Sequence, residues 1–318
     1  MSLPVSLQHL RLPVICAPMF IVSNPKLVVE QCKAGVVGSF PALNARGEGA
    51  LNEWLTGIKA ELMADEAAGG HPAPFAVNQI VHPSNNRLAE DIQVCLSHQV
   101  PVFITSLQAP PKELVDGAHA YGGIVLHEVI NVRHAKKALE AGVDGLILVA
   151  AGAGGHAGML SPFALVGEIR KFYDGLIVLS GSIATGDAIL GAQAMGADLA
   201  YMGTRFICTT EANADAAYKQ GIIDAAANDV IYTNLFTGVH GNYLRQSIVT
   251  AGLDPDNLPV ADKTKMNFGS GGNSAAKAWK DIWGVGQGVG LIDDAPSTAE
   301  LVDHLEMEYK AARVRLAL

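Results

Sequence analysis

Residues 124–151 read IVLHEVINVRHAKKALEAGVDGLILVAA and decide the fold of this chain. An apolar run rich in β-branched residues, Ile124–Ile130, is followed by an amphipathic run, Asn131–Ala141, and by a second apolar run, Gly145–Ala151. Nearly continuous apolar runs are typical of strands that are buried on both faces, as in parallel sheets. Gly142 follows the amphipathic run, where a left-handed residue commonly ends a helix. The stretch therefore predicts two parallel strands joined by a helix.

The same alternation of strand and helix runs through most of the chain. The other predicted strands are Val14–Met19, Val36–Pro41, Phe75–Val81, Pro101–Leu107, Leu176–Ile183 and Leu199–Thr204. Helix signals lie between them: Asn24 and Pro25 form an N-cap and a first-turn proline, and Gly35 and Gly196 stand at helix ends. Eight such units predict an α/β fold, a closed (β/α)8 TIM barrel. A doubly wound open sheet is the alternative, because periodicity does not show closure.

The composition is that of a large globular protein. Of the 318 residues, 49% are hydrophobic and 17% charged, which excludes a mainly disordered chain. The net charge of −9 offers no basic surface, so we expect neither nucleic acid nor a membrane as partner. The longest apolar stretch, Gly145–Ala153, is too short to span a membrane. The four cysteines form no CxxC pair, which predicts a reduced, cytoplasmic protein, and no histidine spacing suggests a metal site.

The chain after the eighth predicted unit has a different composition. It carries turn-rich clusters (Gly252–Pro259, Asn267–Ser274) and two tryptophans, Trp279 and Trp283, before a closing helix. We expect a barrel over 1–226, an inserted lid subdomain that covers the barrel mouth over 227–296, and a C-terminal helix packed on the barrel over 297–318. A surface for a homodimer is the alternative use of the tail.

Two loops after predicted strands have the residue types of a phosphate site. They are Ser180-Gly181-Ser182-Ile183 and Tyr201-Met202-Gly203-Thr204-Arg205-Phe206. Each places glycine and a hydroxyl residue just before a helix, where backbone N–H groups and the helix dipole favour an anion. The loops after the seventh and eighth strands of such barrels commonly bind phosphate. The alternative is that these glycines only allow tight turns and that Ser182 and Thr204 cap helices.

The remaining candidates lie at the ends of other predicted strands. His156 stands among small residues in Gly152-Ala-Gly-Gly-His-Ala-Gly158, where its imidazole is open to a ligand and able to exchange a proton. Met19 offers a thioether to an aromatic ring system, and Asn78 offers an amide to a polar ring edge. The alternative for His156 is a structural histidine, and the alternatives for Met19 and Asn78 are core packing and internal capping. His127, beside Glu128, is a further polar candidate, with a structural histidine as its alternative.

These motifs together resemble the nitronate monooxygenase family, also called 2-nitropropane dioxygenases, which is related to the FMN-dependent enoyl-[acyl-carrier-protein] reductase II. The resemblance covers most of the chain. It rests on Pro13–Met19, Lys33–Gly38, Phe75–Asn78, Ala153–His156, Ser180–Ser182, Met202–Phe206 and Gly286–Gly288. Family members usually have a longer sixth loop with Gln or Glu ahead of Gly-Gly-His. This chain has neither residue there, so a flavin or substrate contact made by that side chain is missing.

The resemblance implies FMN as cofactor and a role for each matching residue. Gly181, Ser182, Gly203 and Thr204 would hold the phosphate, and Met202 of the same motif would also belong to the cofactor site. Ala17, Met19, Asn78 and Gly155 would line the flavin ring, and His156 would be the catalytic residue on the substrate side. The implied reaction is oxidation of alkyl nitronates or nitroalkanes by O2 to carbonyl compounds and nitrite.

Three other functions agree with parts of the sequence. An FMN-dependent NAD(P)H reductase acting on a quinone or an enoyl thioester would use every flavin residue named above. A flavin-free isomerase or lyase of a phosphorylated ligand would need only the phosphate loops. Such enzymes generally use a lysine or paired carboxylates at the strand ends, and among those ends only Glu128 is acidic and no lysine is present. A non-catalytic ligand carrier is also compatible with binding residues alone.

Overall fold

The computed structural model describes residues 3–261 and 281–317. Its main sheet has eight parallel strands: β1 Val14–Cys16, β2 Gly38–Pro41, β3 Phe75–Val81, β4 Val102–Leu107, β5 Ile124–Val129, β6 Gly145–Val149, β8 Leu176–Ser180 and β9 Leu199–Met202. Neighbouring strands follow the order β1-β9-β8-β6-β5-β4-β3-β2. A parallel bridge between Ile15 and Val37 joins β1 to the residues before β2. The predicted barrel is therefore confirmed, because this bridge brings the two ends of the sheet together.

Helices follow the strands and form the outer layer. They are α1 Pro25–Lys33, α2 Ala50–Ala67, α3 Leu88–Ser97, α4 Lys112–His119, α5 Val132–Glu140, α6 Pro162–Arg170, α7 Gly186–Ala194, α8 Thr204–Ile207, α9 Ala216–Ile223, α10 Arg245–Thr250 and α11 Thr298–Arg315. The side chain of Asn24 accepts from the Leu27 N–H, as predicted for an N-cap. Gly35, Gly142 and Gly196 have φ of 89°, 85° and 106°, which confirms the predicted left-handed helix ends.

Alternate residues of each barrel strand face opposite sides, and this phase decides which side chains reach the interior. On β5, Ile124 and Leu126 belong to the apolar cluster inside the barrel, whereas Val125 and Val129 pack between sheet and helices. We call the strand residues that face the barrel interior the inner row and those that face the helices the outer row. By this alternation Glu128 belongs to the inner row and His127 to the outer row. On β9, Leu199 and Tyr201 are likewise on the inside. Side chains of the inner row near the carboxyl ends of the strands therefore form the floor of the barrel mouth.

The chain between α9 and α11 adds a small antiparallel sheet to the barrel. Its strands are β10 Val230–Thr233, β11 Gly241–Leu244 and the short β7 Gly155–His156, which lies in the loop after β6. Helix α11 packs against α7 on the outside of the barrel, and the two backbones are so close that a Cβ on Gly186 would overlap the Tyr309 backbone nitrogen. The predicted division at residue 226 stays a prediction. Asn267–Ser274 and Trp279 lie outside the described residues.

Within 3–261 and 281–317, no helix is long and apolar enough to cross a membrane. The four cysteines, Cys16, Cys32, Cys95 and Cys208, are free thiols, and all are buried. Burial raises the pKa of the Cys32 thiol to about 12, so it stays protonated.

Candidate functional site

A cavity of about 500 Å³ opens at the carboxyl ends of the barrel strands. Inner-row residues of the strands form its floor: Asn78, Ser106, Glu128, Ser180 and Tyr201. Its walls come from the loop after β1, from β7, and from Tyr218 and Trp283 of the later chain. The cavity lies where barrel enzymes carry their active sites.

Most of the residues predicted from the sequence line this cavity. Those that do are Ala17, Met19, Asn78, Gly155, His156, Gly203 and Thr204. Gly181 and Ser182 lie in the adjoining loop and do not line it. Met202 is only 1% exposed and packs against the apolar residues of α11, although its carbonyl accepts the Ala17 N–H at 2.8 Å. The structure therefore brings the predicted ring-lining residues together around the cavity. Neither the side chain of Met202 nor its carbonyl faces the cavity.

The loops after β6, β8 and β9 are held together by close backbone contacts. The Gly152 carbonyl accepts the N–H groups of Ser182 at 3.2 Å and of Gln287 at 2.9 Å. Gly181 has φ of 132°, and a Cβ there would lie 2.6 Å from the Ala151 carbonyl oxygen. Thr204 Oγ1 accepts the Gly286 N–H at 2.8 Å. These glycines are needed because the loops approach one another too closely for side chains.

The two predicted anion sites at helix starts differ in the structure. At the start of α7, the Gly186 N–H donates to the Glu308 carboxylate at 2.7 Å, so a side chain of α11 takes this place. The Glu308 carboxylate, 122 residues away in the sequence, therefore occupies this helix start. The preceding loop with Gly181 and Ser182 stays a predicted phosphate site. The start of α8, with Gly203 and Thr204, does line the cavity. A short helix after the eighth barrel strand is the usual phosphate-binding element of this fold.

His156 is fixed in the cavity wall by the small sheet. Its backbone pairs with Gly241 of β11, and its Nε2 lies 2.9 Å from Thr237 Oγ1. The Thr237 hydroxyl donates to the Val239 carbonyl at 3.0 Å, so its oxygen accepts from a protonated Nε2. Burial lowers the pKa of His156 to about 4. Before a ligand binds, the imidazole is therefore neutral near pH 7 and carries its proton on Nε2.

An acidic pair on the cavity floor is a feature that the sequence interpretation left without a role. The Tyr201 hydroxyl donates to Glu128 Oε1 at 2.9 Å, across the barrel interior. Burial raises the pKa of the Glu128 carboxyl to about 7, and the hydrogen bond from Tyr201 opposes this rise. The signal in the sequence was the alternation of inner and outer residues on β5, which assigns Glu128 to the interior.

The loop after β1 and an aromatic pair, also missed, shape the cavity mouth. Ile21 has an unusual positive φ of 67°, and its N–H donates to Asn44 Oδ1 at 3.0 Å. Asn44 also donates from Nδ2 to the Met19 carbonyl at 2.9 Å. Opposite, Tyr218 and Trp283 stack with ring centroids 5.0 Å apart. One side of the mouth therefore carries the Met19 loop, which Asn44 holds in place, and the other side carries the stacked Tyr218 and Trp283. No local sequence motif predicts either feature.

His127 does not belong to the cavity. It lies on the outer row of β5, is 3% exposed, and its Nδ1 is 2.7 Å from Thr105 Oγ1. Burial, followed by the charge of His134, lowers the pKa of His127 to about 4. The sequence left His127 open as a polar site residue or a structural histidine, and the structure shows a structural histidine.

We expect His127→Gln to weaken the acid sensitivity of the fold. The folded state holds His127 neutral, so the unfolded chain binds more protons as the pH falls from about 6.5 towards about 4. Stability is thus lost over that window, by about 2 kcal/mol at about pH 5 for this one group. Urea unfolding near neutral pH and near pH 5 measures the loss. The variant should lose less stability than wild type by about this amount, and His71→Gln, at an exposed site, should behave as wild type. An unchanged pH dependence in His127→Gln would contradict the assignment.

The donor set of the cavity suits a flat, partly polar cofactor rather than a metal. Among the described ranges, no three His, Cys, Asp or Glu side chains lie close enough to hold a metal ion. A Cβ on Gly155 would meet no heavy atom within 4 Å, so the absent side chain leaves open space beside His156. Asn78 presents an amide on the floor, and Met19 and Ala17 present apolar surface. These features fit a ring system with a polar edge.

A barrel of this kind, with its cavity at the strand ends and a glycine-rich loop cluster beside it, defines a cofactor-dependent (β/α)8 enzyme. The family model for nitronate monooxygenase matches residues 3–308, and the chain belongs to the nitronate monooxygenase family. The chain is accordingly a flavin-dependent oxidoreductase of a family that oxidises nitronates. The family and the class of cofactor expected from the sequence are thereby confirmed.

Similar proteins agree with this assignment. A nitronate monooxygenase of Paraburkholderia phytofirmans is 28% identical over 94% of this chain and 92% of its own length. Two solved structures share the fold. FabK of Thermotoga maritima has a TM-score of 0.77 at 22% identity, covering 98% of this chain and 96% of that one. Nitroalkane oxidase of Streptomyces ansochromogenes has a TM-score of 0.76 at 24% identity, covering 97% of this chain and 98% of that one.

Proposed function

We propose that this protein is an FMN-dependent nitronate monooxygenase that oxidises alkyl nitronates with O2 to carbonyl compounds and nitrite. The observation that carries the proposal is the family match over residues 3–308, which spans the whole cavity. The cavity supports it, because its described walls combine apolar, aromatic and amide groups around one histidine, His156. Among the described residues that line it there is no lysine, which a Schiff-base enzyme would need.

Each part of the cofactor has residues of this chain that suit it. Gly203 and Thr204 at the start of α8, together with Gly181 and Ser182 of the adjoining loop, would hold the phosphate. Met202 would belong to the site through its carbonyl, which accepts the Ala17 N–H. The ring would lie against Ala17, Met19 and Gly155, with the Asn78 amide at its polar edge. When bound, FMN supplies the electron-accepting chemistry and the reaction with O2. The residues of the chain supply position, a dry environment and proton control.

His156 is the residue that we assign to the substrate. A nitronate is an anion, and an anion within hydrogen-bond distance raises the pKa of a neutral imidazole. Binding would therefore favour proton uptake by His156, and the resulting cation would hold the nitro oxygens. Thr237 keeps the ring in place by accepting from Nε2. In the same proposal, residues 227–296 act as a lid over the mouth, since Trp283 and Gly284 line the cavity.

Cofactor content and oxygen uptake test the function. Purified protein should release FMN on heating, and propane-2-nitronate should cause oxygen uptake with equal formation of acetone and nitrite. A protein that takes up hydride from NAD(P)H without oxygen, passes it to a quinone or enoyl thioester, and ignores nitronates would be a reductase instead. A colourless protein that does not bind added FMN would overturn the cofactor and the reaction together.

A further inference from the structure

The loop after β2 brings a cation to the mouth of the cavity. Arg46 lies in this loop, and its guanidinium carbon is 5.5 Å from the centre of the Phe20 ring. Phe20 belongs to the loop after β1 and lines the cavity. The negative face of an aromatic ring attracts a guanidinium, whose N–H groups stay available to a further partner. The charge of Arg46 therefore lies directly behind one wall of the mouth.

Hydrogen bonds from two side chains fix the backbone that precedes Arg46. Arg87 Nη1 donates to the Ala45 carbonyl at 2.9 Å. Asn44 Nδ2 donates to the Met19 carbonyl at 2.9 Å and so ties this loop to the loop after β1. The side chain of Arg46 itself is exposed. The fold thus presents an exposed cation from a backbone that is held in place beside the mouth.

The other charges at the cavity are negative. Glu128 and Asp215 line it, and none of the described residues that line it is a lysine or arginine. The chain as a whole carries a net charge of −9. Within residues 3–261 and 281–317, Arg46 forms no ion pair with a carboxylate, so no fixed partner neutralises its charge. An anion that approaches this acidic protein is repelled by the molecule as a whole and attracted by Arg46.

The substrate of the proposed reaction is such an anion. The two nitro oxygens of a nitronate share a negative charge, and the N–H groups of a guanidinium form charge-assisted hydrogen bonds with paired oxygens. A charge at the rim of a cleft also acts at a distance, because the low-dielectric walls of the cleft focus its field and raise the rate of association. Arg46 is therefore suited to bind the anion at the mouth before it reaches His156.

We propose that Arg46 captures the nitronate at the cavity mouth, and that this charge makes the protein select nitronate anions at the binding step. Asp215, at the start of α9, opposes the capture by like-charge repulsion. Arg46 is a binding residue and not a catalytic one, because it acts at the mouth and not on the reacting atoms. The inference rests on the proposed function, since it requires an anionic substrate.

Variants of Arg46 in the FMN-loaded protein test the capture. At low ionic strength, kcat/KM of Arg46→Gln for propane-2-nitronate should fall about tenfold, mainly through a higher KM. Arg46→Lys keeps the charge and should restore most of the loss. Arg313→Gln, at an exposed site of α11, removes the same charge from the outside of the barrel and should behave as wild type. FMN content and the thermal midpoint show whether each variant is folded and loaded.

Salt distinguishes an electrostatic role from a structural one. At about 0.1 M salt, charges more than about 10 Å apart are largely screened from each other. The ratio of kcat/KM between wild type and Arg46→Gln should therefore decrease towards one as NaCl is added. Asp215→Asn should raise kcat/KM above the wild-type value at low ionic strength, and this gain should also decrease with salt.

The outcomes separate this inference from the proposed function. Equal kcat/KM for wild type and Arg46→Gln at low ionic strength, with normal nitronate oxidation, overturns the role of Arg46 and leaves the proposed function intact. A loss that salt does not reduce, or that lysine does not restore, also overturns it, because a packing contact does not respond to screening. Wild-type protein that fails to oxidise the nitronate overturns the proposed function, and the role of Arg46 falls with it.

Discussion

Replacing Gly203 with valine is expected to cost the protein its flavin while the barrel stays folded. Gly203 joins β9 to α8 and lines the cavity. Its φ of −109° is open to any residue, so the backbone is not strained by a side chain. A Cβ would lie 3.4 Å from the Ala17 Cβ and 3.8 Å from the Met19 sulfur. The branched side chain would fill the space assigned to the cofactor, and we expect FMN to bind at least about 100-fold more weakly, about 3 kcal/mol.

The matched control is Gly167→Val on α6. Gly167 is exposed, and a Cβ there meets no heavy atom within 4 Å, so the same substitution adds bulk away from the cavity. FMN titration by fluorescence gives the affinity, and the far-ultraviolet spectrum with its melting curve reports the fold. A folded Gly203→Val protein that binds FMN with wild-type affinity would show that Gly203 is not part of the cofactor site.

The second large effect is expected from His156→Asn, which should lower kcat/KM for alkyl nitronates about 100-fold. The asparagine retains an amide for Thr237 but cannot take up a proton when the anion binds. FMN content should stay at the wild-type level, because the backbone pairing of residue 156 with Gly241 does not depend on its side chain. Oxygen uptake with propane-2-nitronate measures the loss.

Two variants of Thr237 test whether the hydrogen bond that positions the His156 ring matters separately from the ability of the ring to take up a proton. Thr237→Ser keeps the hydroxyl that accepts from His156 Nε2, whereas Thr237→Val removes it. The valine variant should lose activity by a smaller factor than His156→Asn, and serine should restore most of it. Turnover of propane-2-nitronate at the wild-type rate in His156→Asn would show that the imidazole does not hold the bound anion.

The barrel was predictable because its strands are apolar on both faces and because its helices have recognisable capping residues, such as Asn24 at an N-terminus and Gly142 at a C-terminus. Runs such as Gly145–Val149, buried at every position, have no other common explanation. Closure was not visible in the sequence, since it depends on a single bridge between Ile15 and Val37, two residues that belong to different units. The short strand β7 carries no periodic signal, and its pairing with β11 depends on residues about 85 positions later in the chain.

The candidate site was predictable where it depends on loop chemistry and not where it depends on long-range packing. Gly203 and Thr204 follow β9 directly, and Gly155 and His156 lie in the loop after β6, so their place at the barrel mouth follows from the fold. The pairing of Glu128 with Tyr201 needs two strands to face each other across the barrel interior. Asn44 braces a loop that is more than twenty residues away in sequence. Such contacts leave no trace in local composition.

Anaerobic mixing of FMN-loaded protein with propane-2-nitronate, followed by the flavin absorbance, tests nitronate oxidation most directly. The nitronate should bleach the oxidised flavin band without NAD(P)H, and admission of O2 should restore the band with release of acetone and nitrite. A flavin band that nitronate leaves unchanged, and that NADH bleaches under the same conditions, would contradict the proposed function.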